Sequence, residues 1–207
     1  MHSAQQPIHT ADFENAEAYI LKRLKNELAR TLYYHGYHHT LDVMDAAMKI
    51  ADTERLSDDE KKLLRIAVAF HDAGFIYKYK DHEQKGCEMA KEILPTFRFN
   101  DEQIQAICGM IMSTKIPQNA TNKVERIICD ADLDYLGRED VCEIANTLFE
   151  ESRIYANIPD EEKWDEEQIK FLKEHRYYTD YSLALRKPGK LKYLESLFKK
   201  KRTSNFL

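Results

Sequence analysis

A chain of 207 residues is long enough for one domain, and a composition of 43% hydrophobic and 32% charged residues is typical of a compact globular fold. The formal net charge of -5 argues against a nucleic acid polymer as a partner. No hydrophobic run approaches the ~20 residues of a membrane span and the amino terminus lacks the hydrophobic region of a signal peptide, so we expect a cytoplasmic protein that does not bind membranes.

Hydrophobic residues recur with helical spacing in almost every segment, and only six glycines and five prolines interrupt them. This pattern predicts an all-α fold rather than a turn-rich β fold. In chain order, helices are predicted over 13–35 behind Thr10 as N-cap, from about His38 to Ala51, over 61–74 behind a Ser57–Glu60 capping box, over 83–94, over 100–113 behind Asn100 and Gln103, over 121–137, over 140–158 and over 160–186, with a last short helix after Pro188-Gly189.

One of these helices has no polar face. The segment Ile66–Gly74, IAVAFHDAG, is hydrophobic on every side until His71 and Asp72, so we predict that it lies at the centre of the fold. A buried carboxylate costs several kcal/mol unless a cation or several donors meet it, and no lysine or arginine lies one turn from Asp72. A shared metal ion and a simple His71–Asp72 hydrogen bond are both compatible with this dipeptide.

A second acidic segment, CDADLDYLG, favours the metal ion. Asp132 falls on the hydrophobic stripe of its predicted helix, whereas Asp130 and Asp134 turn to the side, where they are either exposed or support a ligand. The histidine cluster YYHGYHH opens the second predicted helix. Two buried acids on separate helices and a histidine cluster on a third are best explained together, by one metal centre.

The ordered stretches HHTLDV, AFHDAG and DADLDYLG resemble the HD-domain metal-dependent phosphohydrolase superfamily. This resemblance implies a helical bundle of HD-domain/phosphodiesterase-like type that hydrolyses phosphoesters. It implies that His39, His71, Asp72 and Asp132 are the metal ligands and that His38 is a neighbour of the ligand set. We expect a single domain, 1–207, with the metal core at about 33–137, further helices over 138–201 packed on it, and a frayed tail at 202–207.

Within that superfamily, YHGYHHTLDV resembles the YHNxxHAxDV motif of cyclic-nucleotide phosphodiesterases. The resemblance implies that His35, four residues before the ligand His39, donates a proton to the leaving oxygen. Two positions depart from related patterns. Gly36 stands where the phosphodiesterases have asparagine, and Phe75 stands where some nucleotidase and guanosine-polyphosphate hydrolase branches have a glutamate that acts on the attacking water.

Five further side chains are candidates for contact with the substrate. His82 and Glu83 begin the fourth predicted helix and either complete a second metal site, touch the substrate or form an exposed helix cap. Lys115 follows the fifth predicted helix and could neutralise phosphoryl oxygens, although a solvated loop lysine fits the sequence equally well. His175 and Arg176 belong to a basic and aromatic segment that could line a nucleotide pocket or pack in the core.

Two imidazoles and two carboxylates suit one or two divalent ions per chain, of Mn, Mg, Fe, Co, Ni or Zn. Such an ion lowers the pKa of a bound water molecule and neutralises phosphoryl charge. Because Asp72 holds the ion that activates the water, we count it as a catalytic residue as well as a ligand. The predicted substrate is a small phosphoester, a nucleotide or cyclic nucleotide, cleaved by a phosphomonoesterase or phosphodiesterase reaction. The sequence leaves open whether the protein forms a homodimer.

Two other functions are compatible with the same residues. The first is a non-catalytic regulatory or binding module whose metal is structural. The second is a di-iron oxygenase, which needs more histidine ligands than this sequence offers. An open coordination position would separate an enzyme from the structural module, because only catalysis requires one.

Overall fold

The computed structural model describes residues 10–204, and these residues form helices and loops without any β-strand. The α-helices of this part are α1 (Phe13–Glu27), α2 (Tyr37–Thr53), α3 (Asp58–His71), α4 (His82–Ile93), α5 (Asp101–Ser113), α6 (Lys123–Asp132), α7 (Val141–Tyr155), α8 (Glu161–Glu174), α9 (Asp180–Leu185) and α10 (Lys187–Ser204). Short 3₁₀ helices cover Ala73–Ile76, Leu94–Phe97 and Asp134–Gly137. The all-α prediction is confirmed.

Positions 1–9 and 205–207, which include the end of the predicted tail, lie outside the described residues. Among residues 10–204, no helix combines the length and the hydrophobicity that crossing a bilayer requires.

Helix α3 occupies the centre of the bundle, as its sequence predicts. It packs against α1, α2, α4, α5 and α6, and the side chains from Ile66 to Phe70 are completely buried. Its capping box of Ser57 and Glu60 is present, and the same motif starts α5. Because the helix ends at His71, the His71–Asp72 pair lies at the carboxyl end of the most buried element.

The predicted helix over 61–74 is three residues too long at its carboxyl end, because α3 stops at His71 and Gly74 belongs to the following 3₁₀ helix. Gly74 is required there by a close contact between two segments of the backbone. A Cβ atom on Gly74 would lie 1.9 Å from the carbonyl oxygen of His82, so only glycine lets the start of α4 approach this closely. The contact brings His82 beside Asp72.

The first predicted helix is too long at its carboxyl end. It begins behind Asp12 rather than Thr10 and ends at Glu27, not at His35. The backbone N–H groups of Tyr34 and His35 donate to the buried carboxylate of Glu151 at 2.9 and 3.0 Å. Because these donors have a partner on α7, the segment 28–36 forms an irregular link into α2 instead of another helical turn.

The predicted helix over 160–186 is also wrong, because it is broken at 175–179 into α8 and α9. Buried Asp130 of α6 accepts hydrogen bonds from the backbone N–H groups of Tyr178 and Thr179 and from the Thr179 hydroxyl, at 2.7 to 2.9 Å. Thr179 in turn caps α9. Asp130 therefore holds the break in place, and its predicted alternative of solvent exposure is wrong.

The last helix was predicted to be short, but α10 contains 18 residues. It packs along α8 and against the 3₁₀ helix Asp134–Gly137. Lys190 of α10 donates to the carbonyl oxygens of Leu172 and His175 at 3.1 and 2.6 Å. A buried cation thus satisfies the carbonyl end of α8, which explains how an extra helix is anchored there.

Two hydrophobic clusters result. The larger one is formed by side chains of all six helices from α1 to α6. The smaller one joins Tyr34 and the 3₁₀ helix Asp134–Gly137 to α7, α8 and α10. Asp132 lies between Ala131 of the larger cluster and Leu133 of the smaller one, and it faces His71. The helices after residue 137 therefore do more than cover the predicted metal core, since they form one wall of the cavity described below.

We predict that Asp130→Ala lowers the free energy of unfolding by about 3 kcal/mol, because it leaves buried donors of Tyr178 and Thr179 without an acceptor. Urea denaturation followed by circular dichroism measures the effect. Asp45→Ala, which removes an exposed carboxylate of α2, is the matched control and should leave the midpoint nearly unchanged. Equal midpoints for the two variants would contradict the role of Asp130.

Candidate metal centre and active site

Side chains from three separate helical segments meet at the carboxyl end of α3. His39 Nε2 lies 3.6 Å from Asp72 Oδ2 and 3.2 Å from Asp132 Oδ1. His71 Nε2 lies 3.2 and 3.5 Å from the same two oxygens. His39, His71 and Asp72 are buried, and Asp132 is only slightly exposed. The four predicted ligands are therefore neighbours, with two nitrogens and two oxygens facing one another.

The hydrogen bonds of His71 leave one nitrogen for a ligand. Its Nδ1 donates to the carbonyl oxygen of Val68 at 2.7 Å, because a carbonyl can only accept. Within residues 10–204, neither His71 Nε2 nor Asp72 Oδ2 has a hydrogen-bond partner, although both are buried. Buried polar atoms are rarely left in this state unless an ion or water satisfies them. The simple His71–Asp72 hydrogen bond that the sequence left open is therefore not formed.

The spacing of these atoms fits a divalent ion. Adjacent ligands of an octahedral ion are about 3 Å apart when each lies about 2.1 Å from the metal. The four nitrogen–oxygen separations of 3.2 to 3.6 Å are close to that value before any contraction around an ion. The ligand atoms of His39, His71 and Asp72 all lie within 4.8 Å of one another, and Asp132 adjoins this group through the two histidines. A donor set of imidazole nitrogen and carboxylate oxygen matches the first-row divalent metals and Mg²⁺. The residues present thus fit the metal that they were predicted to bind.

The carboxylates are kept ionised despite their burial. Burial alone raises the pKa of Asp132, but the imidazoles of His39 and His71 lower it to about 2. The pKa of Asp72 is likewise held well below its usual range by His71 and His82, which outweigh the effect of burial. Two buried negative charges of this kind favour a cation at the point between them.

His82 is drawn into the same cluster. Its Nδ1 donates to the carbonyl oxygen of Tyr79 at 3.1 Å, so Nε2 is free to face Asp72 Oδ1 at 3.4 Å and Glu83 Oε1 at 3.6 Å. Glu83 is buried. The exposed-cap alternative for these two residues is therefore wrong. The pair adds one imidazole and one carboxylate next to Asp72, which is the composition of a second metal position or of a contact to substrate.

His35 is held from the opposite side by α7. Its Nδ1 forms a very close hydrogen bond with Glu151, whose other oxygen receives the backbone N–H groups of Tyr34 and His35. Burial raises the pKa of Glu151, but these hydrogen bonds and His35 lower it below its usual value, so the group is a carboxylate. A buried carboxylate on Nδ1 fixes the orientation of the ring and leaves Nε2 for other contacts.

Phe75 joins the two outer histidines. Its ring stacks on that of His35 with centroids 4.4 Å apart and on that of His82 at 3.8 Å. The phenylalanine that replaces the glutamate of related branches therefore has a structural role, because its ring packs against both His35 and His82. The centroids of the two imidazoles are 6.0 Å apart.

The remaining predicted substrate contacts lie elsewhere. Lys115 pairs with Asp81 at 2.8 Å and is not part of the cavity wall. His175 packs against Phe171 and Tyr177. Burial and the nearby Lys190 lower the pKa of His175 to about 3, so it is uncharged at neutral pH. Arg176 is exposed to solvent. The structure thus brings only His35, His82 and Glu83 of the predicted outer groups to the cluster.

A cavity of about 340 Å³ opens beside this cluster. Its wall includes Asp72, Asp132, His35 and His82 at one end and side chains of α7 and α8 at the other. Sequence reasoning missed the groups that depend on tertiary packing: Glu151, Tyr34, Tyr135 and Trp164. A glutamate on the buried side of α7 was the only available signal for Glu151, because its partner lies 116 positions earlier in the chain.

The comparisons with known proteins agree with this geometry. A model of the HD domain family matches residues 36–181. A crystal structure of a predicted HD superfamily hydrolase from an uncultured Thermotogales bacterium is similar, with a TM-score of 0.51 and 25% identity over 64% of this chain and 74% of that one. A protein from Lactobacillus plantarum shares the fold, with a TM-score of 0.65 and 18% identity over 92% of this chain and 98% of that one.

One curated relative is an uncharacterized protein from Clostridium beijerinckii. It is 36% identical over 93 residues, which are 43% of this chain and 59% of the relative. The matched region thus spans less than two thirds of the relative's length.

We predict that Mn²⁺ raises the melting temperature, because an ion bound only by the folded state stabilises it by about 2.7 kcal/mol at a hundred times its Kd. Thermal denaturation in Mn²⁺ and in EDTA measures the shift. His71→Gln and Asp132→Asn should each abolish most of it, because each removes one of the converging ligand atoms. His38→Gln, at an exposed histidine of the same segment, should keep it. A shift that survives in His71→Gln would place the ion elsewhere.

Proposed function

The chain belongs to the HD domain family, and from this membership and the geometry of its buried cluster we propose that it is a metal-dependent phosphohydrolase. The observation that carries the proposal is the pair of buried atoms His71 Nε2 and Asp72 Oδ2, which face His39 and Asp132 but lack hydrogen bonds. HD domains bind divalent metals, and this chain offers the corresponding imidazole and carboxylate cluster.

In the proposed reaction, His39, His71, Asp72 and Asp132 hold the ion. A divalent ion at this position supplies Lewis-acid chemistry, since it makes water more acidic and neutralises charge on a phosphoryl oxygen. The buried carboxylates keep the centre attractive to a cation. His82 and Glu83 contact either a second ion or the phosphoryl group.

We assign His35 the role of proton donor to the leaving oxygen. Its ring lines the cavity, and its centroid lies 5.9 Å from that of the ligand His39. Glu151 holds the ring through Nδ1, so Nε2 is the nitrogen that is left to donate the proton to the leaving oxygen. Lys115 would have to leave its ion pair with Asp81 to contact the substrate.

The proposed substrate is a phosphoester, with a nucleotide or cyclic nucleotide as the predicted class. The non-catalytic module with a structural metal is the second candidate. A structural site is closed on all sides by protein, whereas Asp72 and Asp132 also line the cavity. This exposure of two ligands to a space of substrate size favours an enzyme.

Elemental analysis of the purified protein, followed by a screen of phosphomonoesters, phosphodiesters and nucleotides with several divalent ions, tests the proposal. We expect a divalent metal and hydrolysis of at least one class. Asp72→Asn should reduce the rate by more than about 100-fold, because it removes a ligand atom and a charge. Asp45→Asn on the exposed face of α2 is the control. Metal-loaded, folded protein that hydrolyses no phosphoester would favour the structural module.

The role of His35 as proton donor can be tested with two substrates, one whose leaving group needs a proton and one whose leaving group does not. We predict that His35→Asn slows hydrolysis of an alkyl phosphoester by roughly 10²- to 10⁴-fold, the usual effect of losing a general acid. It should slow a 4-nitrophenyl ester far less, because nitrophenolate leaves without a proton. His38→Asn, three residues along and exposed, is the matched control and should affect neither substrate. Equal losses on both substrates would assign His35 to binding or folding instead.

A further inference from the structure

The cavity beside the histidine and aspartate cluster has two chemically different ends. Asp72, Asp132 and His82 face the end where phosphorus would react. The other end is formed by α7 and α8, whose side chains there are mostly hydrophobic, with Leu148, Trp164 and Phe171 beside the polar Glu167 and Gln168. A volume of about 340 Å³ is at the low end of small-molecule sites. The cavity therefore has room for a phosphoryl group and a small organic group, but not for a large ligand.

The wall is poor in positive charge. Of the described residues that line the cavity, none is a lysine or an arginine, whereas Glu83 and Glu167 contribute carboxylates. The nearby cations have other partners: Lys115 pairs with Asp81, and Lys190 donates to the end of α8. A di- or triphosphate chain would bring several negative charges past these carboxylates with no cationic side chain in the wall, which is unfavourable in a partly desolvated site.

Polar groups in the wall are also partly engaged. The hydroxyl of Thr114 donates to the carbonyl oxygen of Ile111 at 2.8 Å, and the side-chain oxygen of Gln168 accepts from the Tyr193 hydroxyl at 2.7 Å. A sugar with several hydroxyl groups would have to be desolvated for few new hydrogen bonds. A hydrophobic group has no such desolvation cost, and the burial of its surface makes binding more favourable.

Building on the proposed function, we propose that the substrate is a phosphoester with a single phosphoryl group on a small, uncharged hydrophobic group. The phosphoryl group lies at the histidine and aspartate cluster, and the hydrophobic group fills the end between α7 and α8. Within the predicted nucleotide class, a substrate of this kind excludes nucleoside di- and triphosphates. As the alcohol esterified to the phosphoryl group, a hydrophobic alcohol is preferred to ribose.

Trp164 makes binding measurable without turnover. It is the only tryptophan of the chain and lines the hydrophobic end, so its fluorescence reports occupancy of that end. Alkylphosphonates are suitable probes, since their carbon–phosphorus bond is not an ester. We expect hexylphosphonate to bind the metal-loaded protein at least about 100-fold more tightly than methylphosphonate, because each buried methylene lowers Kd about fourfold. Hydrolysis should likewise favour hexyl phosphate over adenosine monophosphate in kcat/KM.

A matched pair of variants locates the effect. Leu148→Gln places an amide in the hydrophobic end and should raise the Kd of hexylphosphonate by about tenfold while leaving that of methylphosphonate within about twofold. Leu63→Gln makes the same change on a partly buried face of α3, in a groove outside this cavity, and should alter neither value. Circular dichroism verifies that both variants are folded.

The outcomes separate this inference from the proposed function. Equal affinity for the two phosphonates, or a preference for adenosine monophosphate in hydrolysis, would overturn the hydrophobic substrate while leaving a phosphohydrolase. Tight binding of hexylphosphonate that depends on Leu148, combined with no hydrolysis of any phosphoester, would support the hydrophobic site and overturn the enzymatic function.

Discussion

The burial of two ionised carboxylates at one point is the interaction on which the rest of the site depends. Asp72 and Asp132 lie between His39 and His71, with separations of 3.2 to 3.6 Å. Such charges are costly inside a protein unless imidazoles and a cation compensate them. The hydrophobic surface of α3 holds Asp72 there, because the side chains from Ile66 to Phe70 are completely buried, and the end of α6 brings Asp132 to the same point. The fold therefore stabilises an arrangement that is unfavourable without a metal ion.

The helices after the predicted metal core complete this site rather than merely shield it. Glu151 of α7 reaches back to the segment before α2 and determines both the course of the backbone and the orientation of His35. Trp164 and Phe171 of α8 form the hydrophobic end of the cavity. Under the proposed function, residues 39–132 would hold the metal, whereas α7 and α8 would set the substrate preference.

Local chemistry explains why much of the fold was predictable. The capping boxes of α3 and α5 involve residues three positions apart, and the uniform hydrophobicity of 66–70 has no stable location except the interior. Two of the errors share one cause. The first predicted helix ends early because the backbone N–H of Tyr34 donates to Glu151. The eighth is broken because the backbone N–H groups of Tyr178 and Thr179 donate to Asp130. Helical spacing cannot reveal an acceptor that lies on another helix.

By itself, the sequence determined the all-α class, the central position of α3 and the burial of His71 and Asp72, because periodicity and the cost of a buried acid depend on the chain's local order. The full set of ligand candidates, His39 among them, was implied by the resemblance of three short stretches to the HD-domain superfamily. Tertiary structure alone decided that His82 and Glu83 join the cluster, that Lys115 pairs with Asp81, and that Phe75 packs against two imidazoles. It also decided the shape and charge of the cavity. These features arise from contacts between residues far apart in the chain, and the spacing of residues along one helix carries no information about them.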